Sequence, residues 1–143
     1  MKRSLLGLFT ALALGTTATA QDKPDLVTIL TSDESQTQLM SMVLTMQSIQ
    51  QGANAYVLLC GPAGDLALKD APDAATAPQK PKGMSPQGLM QKIMGTGATV
   101  EVCAIYLPNK RVKPDALLDG VTAAQPPEMA ARLLAPNARI MSF

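Results

Sequence analysis

Two apolar, β-rich runs separated by one helix's worth of patterned sequence constrain the fold of this chain more than any other feature. Leu26-Val-Thr-Ile-Leu30 runs into Thr31-Ser32-Asp33-Glu34-Ser35, a cluster of turn and N-cap residues in which Asp33 is the simplest cap. Leu39, Met42, Val43, Met46 and Ile49 then recur at helical spacing up to Gly52, a glycine stop. Ala55-Tyr-Val-Leu-Leu-Cys60 follows as a second buried strand, ended by Gly61-Pro62. Strand, helix and strand in that order predict a right-handed βαβ unit with parallel strands.

The alternation continues along the chain. Residues 62–86 change character to Ala, Pro, Lys, Asp and Gly, with Pro72, Pro78, Pro81 and Pro86 forbidding long regular structure. This Pro/Ala-rich segment reads as a loop insertion, with Gly64 to Lys69 a turn or strand-like piece inside it. Ser85-Pro86 opens a helix whose apolar side is Leu89, Ile93 and Met94, stopped by Gly95 and Gly97. A third β-branched run, Ala98-Thr-Val-Glu-Val-Cys-Ala-Ile-Tyr106, carries Cys103 near its end. Asp115 to Gly120 reads as a turn of helix, Val121 to Ala124 as a brief strand, Pro126 to Leu134 as a last helix and Ala138 to Phe143 as a closing strand. The expected architecture is a single α/β domain, a mostly parallel sheet of four or five strands with helices on both faces.

Residues 1–20 read as a secretory signal to be set aside from the fold. Lys2 and Arg3 supply the positive start, Leu5 to Leu14 the apolar stretch and Ala18-Thr19-Ala20 the small-residue cleavage site. The domain is then residues 21–143, with a periplasmic or secreted location. Removing Lys2 and Arg3 from twelve basic residues leaves ten against eleven acidic ones, a formal net charge of −1. That balance favours neither nucleic acid nor, once the signal is cleaved, an anionic membrane as partner.

The chain has no histidine and two cysteines, Cys60 and Cys103. Without imidazole, a Ser-His-Asp triad is excluded and most zinc sites are missing. No glycine-rich nucleotide loop is present, so no cofactor is expected. Both cysteines close predicted strands, and the carboxyl ends of strands are where open α/β sheets keep their chemistry. There they can pair as a disulfide, act as attacking and resolving thiols, bind a soft metal together, or simply be buried. Lys110, Arg111 and Lys113 follow Cys103 and are candidates for stabilising its thiolate. Met42 with Met46, and Met90 with Met94, each share a helical face at i and i+4. Thioethers with thiolates suit Cu(I), whereas Met in an aromatic-poor chain also serves as core filler; the sequence leaves the metal question open. Asp33 with Glu34 is a carboxylate pair or, more simply, part of a helix cap.

Taken in order, these pieces resemble the DsrE/DsrF-like sulfur-relay family, small α/β proteins that include TusD. The matching segments are the first strand and polar loop into the helix ending at Gly52, the strand Ala55 to Leu59, Gly97-Ala-Thr-Val-Glu-Val-Cys103, Asp115-Ala-Leu-Leu-Asp-Gly-Val121, and the final helix and strand ending Arg139-Ile-Met-Ser-Phe143. The resemblance implies that Cys103 accepts sulfur as a persulfide from a sulfur donor, protein or small sulfur species, and hands it on. It also implies a homo-oligomer, trimer or hexamer. The chain departs from the family pattern in its signal sequence, in Cys60 and in the 62–86 segment. A soft-metal binder and a non-catalytic interaction protein are the alternative functions.

Overall fold

The computed structural model describes residues 23–143; the signal-sequence reading falls on residues 1–20, outside the described residues. Five strands form one all-parallel sheet: β1 (Asp25–Leu30), β2 (Asn54–Leu59), β3 (Thr99–Val102), β4 (Thr122–Ala123) and β5 (Ala138–Ser142). Their spatial order is β4-β3-β2-β1-β5, so successive strands build outward from β1 in one direction and only β5 returns to its other side. The helices are α1 (Ser35–Gln50), α2 (Asp73–Thr76), α3 (Pro86–Met94), α4 (Tyr106–Lys110) and α5 (Pro126–Leu133). The single-domain α/β sheet expected from the sequence is the observed architecture. No helix among the described residues is long and apolar enough to cross a membrane.

The period-two alternation of a strand divides the core in two. Val57 and Leu59 of β2 join Leu30, Met42, Met90, Ile93, Val100 and Val102 in the larger cluster, under α1 and α3. Tyr56 and Leu58 point the other way and join Val27, Ala124 and Met129 under α5. Helices thus cover both faces, but unequally. The second face is protected by one two-turn helix, and Leu134 and Ile140 remain exposed beside it. Between β1 and α1, the hydroxyls of Thr28 and Thr45 lie 2.7 Å apart in full burial, which satisfies two polar groups that the larger core would otherwise strand.

Four local expectations need correction. The cap of α1 is Glu34, not Asp33: its carboxylate accepts from the backbone N–H of Gln36 at 2.9 Å and of Thr37 at 2.7 Å, and from the Thr37 hydroxyl. A longer side chain can reach two of the free amides of the first turn when its own residue occupies the cap position. Most of Gly64 to Lys69 belongs to a 3-10 helix, Gly61–Ala67, with Pro62 in its first turn and Ala63, Leu66 and Ala67 fully buried; only Leu68 is strand-like, in a bridge to Leu117, and Lys69 lies in a turn. Gln87 of α3 donates from its Nε2 to the carbonyls of Leu66 and Leu68, tying this segment into the core. The third β run ends at Val102, because its last residues, Ile105 and Tyr106, already turn into α4. The segment before β4 is a 3-10 turn at Pro114–Ala116, followed by Leu117 bridged to Leu68.

The Glu34 cap gives the fold a pH signature. Its backbone amide partners, Gln36 first, hold the carboxyl below its ordinary value of 4.5. A depressed folded-state value means that the cap's contribution is complete above the unfolded value and is lost as pH falls through the folded one. Glu34→Gln is therefore expected to lower Tm at neutral pH, and thermal melts from pH 7 downward should show the gap to wild type closing as the wild-type carboxyl protonates.

Candidate functional site

Cys60 and Cys103 are the residues that immediately follow β2 and β3. The parallel register pairs Leu59 with Val102, so the two cysteines stand opposite one another, one position further along. The ladder extends to them: Cys103 N–H donates to the Leu59 carbonyl at 2.8 Å, and Cys60 N–H to the Leu30 carbonyl at 2.9 Å. Alternation points both side chains to the α5 face, where they pack against the smaller core cluster. Their Cα atoms are 5.0 Å apart and the sulfurs are joined in a disulfide. Adjacent strands lie about 4.7–4.9 Å apart, within the range a disulfide spans, so strand pairing alone brings the thiols together. Each residue is half-buried rather than enclosed.

The segments leaving the two cysteines are clamped to each other. Tyr106, in the first turn of α4, packs against Gly64, where an added Cβ would overlap its ring. Its hydroxyl donates to Asp65 Oδ1 at 2.8 Å, and Lys110 Nζ contacts Asp65 Oδ2 at 2.7 Å. Burial, and next the bond to Asp65, push the Tyr106 phenol well above its usual range, so it remains a donor at any physiological pH. Lys110, a candidate cation for a Cys103 thiolate, is thus committed to Asp65.

The second tyrosine of the chain is treated alike. Tyr56 donates to Glu101 Oε2, whose other oxygen accepts from the Thr122 hydroxyl at 2.8 Å. Burial first, and Glu101 next, raise this phenol too. Arg132 of α5 stacks its guanidinium 4.3 Å from the Tyr56 ring centroid and so holds the helix over the sheet. Glu101 precedes Cys103 by two residues on the same face of β3, which places this network one strand repeat below the disulfide. Neither carboxylate partner was evident in the sequence, because both pairs join residues more than forty positions apart.

The methionine pairs are not near the cysteines. Met42 and Met90 are fully buried in the larger core cluster, and Met46 and Met94 pack against it, all on the α1 and α3 side. The thiols face the other side of the sheet, so a copper site built from the cysteines and either methionine pair would need groups from opposite faces. No cluster of three or more His, Cys, Asp or Glu in metal-binding proximity occurs among the described residues. A groove of about 820 Å³ lies between α1 and the Gln79–Met84 segment, lined by Leu39, Met40, Val43, Met46 and Met84. It too is on the α1 side and presents no cysteine or carboxylate.

Two tests follow from this geometry. The disulfide spans 43 positions, for which chain-entropy arguments give stabilisation on the order of 4 kcal/mol. Reduction should lower Tm accordingly, yet leave the near-ultraviolet circular dichroism of a folded protein, since ladder and clamp persist without the bond. Gly64→Ala should displace the Tyr106 ring and cost about 1–3 kcal/mol by overpacking, measured by denaturant unfolding, and the same substitution made in a Tyr106→Ala background should cost much less.

No family model and no curated protein matches the sequence. Solved structures do. The YchN protein from E. coli superposes with a TM-score of 0.66 at 18% identity, covering 85% of this chain and 99% of YchN. A protein of unknown function from Methanobacterium thermoautotrophicum, MTH1491, gives 0.63 at 12% identity, covering 85% of this chain and 100% of its own. The chain therefore has the DsrE-like α/β fold that these two proteins share, and at such identities the likeness is one of fold alone.

Proposed function

We propose that this is an exported sulfur-handling protein in which Cys103 accepts a sulfane sulfur, with Cys60 as its disulfide partner. The observation that carries this reading is the placement of two half-buried cysteines, in register, at the carboxyl ends of adjacent parallel strands. The DsrE-like fold supports it, and so does the resemblance of Gly97–Cys103 to the sulfur-relay family's segment, which implies a carrier role for Cys103. Export rests on residues 1–20.

In the reduced protein the Cys103 thiolate attacks the terminal sulfur of a donor persulfide or polysulfide. The S–S bond of the donor breaks, its remaining sulfur leaves with the electron pair, and Cys103 gains an S–S bond. The disulfide state must first be opened by two external thiols or one dithiol, which supply two electrons and become a disulfide.

A second reading has its own support. The cysteines pack against the smaller core cluster, and the bond joins β2 to β3 under the thinner helical cover. A structural staple in a non-catalytic interaction protein is consistent with that placement.

Intact-mass measurement separates the two. Reduced Cys60→Ser, which cannot re-form the disulfide, is expected to gain the mass of one sulfur atom after exposure to glutathione persulfide, and Cys103→Ser is expected to gain none. No gain in the first variant, or equal gain in both, favours the staple.

A further inference from the structure

We infer that Cys60 ends the sulfur's stay on Cys103: it attacks the persulfide, releases hydrosulfide and leaves the protein in the disulfide state seen here. This rests on the reading of Cys103 as acceptor and adds to it an activity, reduction of sulfane sulfur at the expense of a dithiol.

The fold enforces proximity between the two sulfurs. In a persulfide on Cys103 the inner sulfur is Cys103 Sγ itself, and the bond that Cys60 would form to it is the bond present in the structure. Reaching that product needs no rearrangement of the backbone. The strand ladder fixes both Cα positions through Cys60 N–H to Leu30 and Cys103 N–H to Leu59. Past the cysteines, the Tyr106, Asp65 and Lys110 clamp ties the two exiting segments together through contacts that do not involve the sulfurs. Well-oriented intramolecular reactions reach effective molarities of about 10⁵ M and above. An external acceptor at millimolar concentration competes poorly with such a neighbour, so a carried sulfur leaves through Cys60 unless the acceptor is docked beforehand.

The step balances. Cys60 thiolate forms the S–S bond to Cys103, the bond between Cys103 Sγ and the outer sulfur breaks, and that sulfur departs as hydrosulfide with the electron pair. Two cysteine thiols are oxidised to a disulfide, and one sulfane sulfur is reduced to sulfide. An external dithiol then reduces the disulfide by thiol exchange, itself becoming a disulfide. Over a cycle, a donor persulfide and a dithiol become a thiol, hydrogen sulfide and an oxidised dithiol. Asp65 enters as a positioning residue, since it anchors both the Tyr106 hydroxyl and the Lys110 ammonium that brace the pair.

The test uses the reduced protein with stoichiometric glutathione persulfide and no further reductant, following hydrosulfide colorimetrically and the protein by intact mass. Wild type should release about one hydrosulfide per chain and finish two hydrogens lighter, as the disulfide. Cys60→Ser should retain the sulfur and release about 100-fold less over the same interval. A rapid alkylating quench of wild type should trap a Cys103 persulfide that decays as hydrosulfide appears. If wild type holds its persulfide as long as Cys60→Ser does, the discharge role is wrong and the acceptor role stands. If Cys60→Ser acquires no sulfur, or acquires glutathione instead, the acceptor reading fails and takes this inference with it. Asp65→Asn, which keeps both thiols, should slow decay of the trapped persulfide while leaving its formation unchanged; equal slowing of both steps would assign Asp65 a general structural role.

Discussion

The parallel hydrogen-bond ladder between β2 and β3 is the constraint on which the rest of this molecule depends. It sets Leu59 against Val102 and, one step further, Cys60 against Cys103. Because side chains alternate, the same register sends Val57, Leu59, Val100 and Val102 into the larger core and the cysteines to the opposite face. A slip of one residue would exchange those sets, placing thiols among buried aliphatics and valines against α5. Stability and chemistry therefore rest on one register, and the hydrophobic cost of breaking it protects the alignment of the sulfurs.

Around this ladder the chain repeats one polar device. Each of its two tyrosines is buried with its hydroxyl on a carboxylate: Tyr56 on Glu101 under α5, and Tyr106 on Asp65 beyond the strand ends. Phenols combine a large apolar body with a single polar tip, so each can bury area and still fix a direction. Tyr56 secures the short helix over the thinner side of the sheet, aided by Arg132. Tyr106 secures the segment after Cys103 to the segment after Cys60, across the bare backbone of Gly64. In a chain poor in aromatic residues, these two positions carry a share of the packing that Met and Leu cannot give direction to.

Much of this was legible along the chain. The strands, α1, α3 and α5 follow from period-two and 3.6-residue patterns closed by Gly52, Ser85-Pro86 and Pro126-Pro127, because burial of one face imposes those periods. The strand-end position of both cysteines could be read for the same reason. What could not be read were the short pieces whose conformation is set by neighbours: the 3-10 helix at Gly61–Ala67, α4 in place of a strand end, and a cap supplied by Glu34 rather than Asp33. Lys110 was recognisable as a cation near Cys103 in sequence, but its engagement by Asp65 depends on two loops meeting in space.

The sequence by itself determined that this is a parallel α/β domain with its two cysteines at strand ends, since hydrophobic periodicity and the positions of the cysteines are properties of the linear chain. Only the tertiary structure decided that Cys60 and Cys103 share one face at strand spacing and are bonded, that the methionine pairs lie on the other face, and that Asp65, Tyr106 and Lys110 brace the site. Those facts depend on register and on contacts between residues more than forty positions apart. Local pattern determines which face of an element is buried; which partner it meets there is settled only when the elements pack.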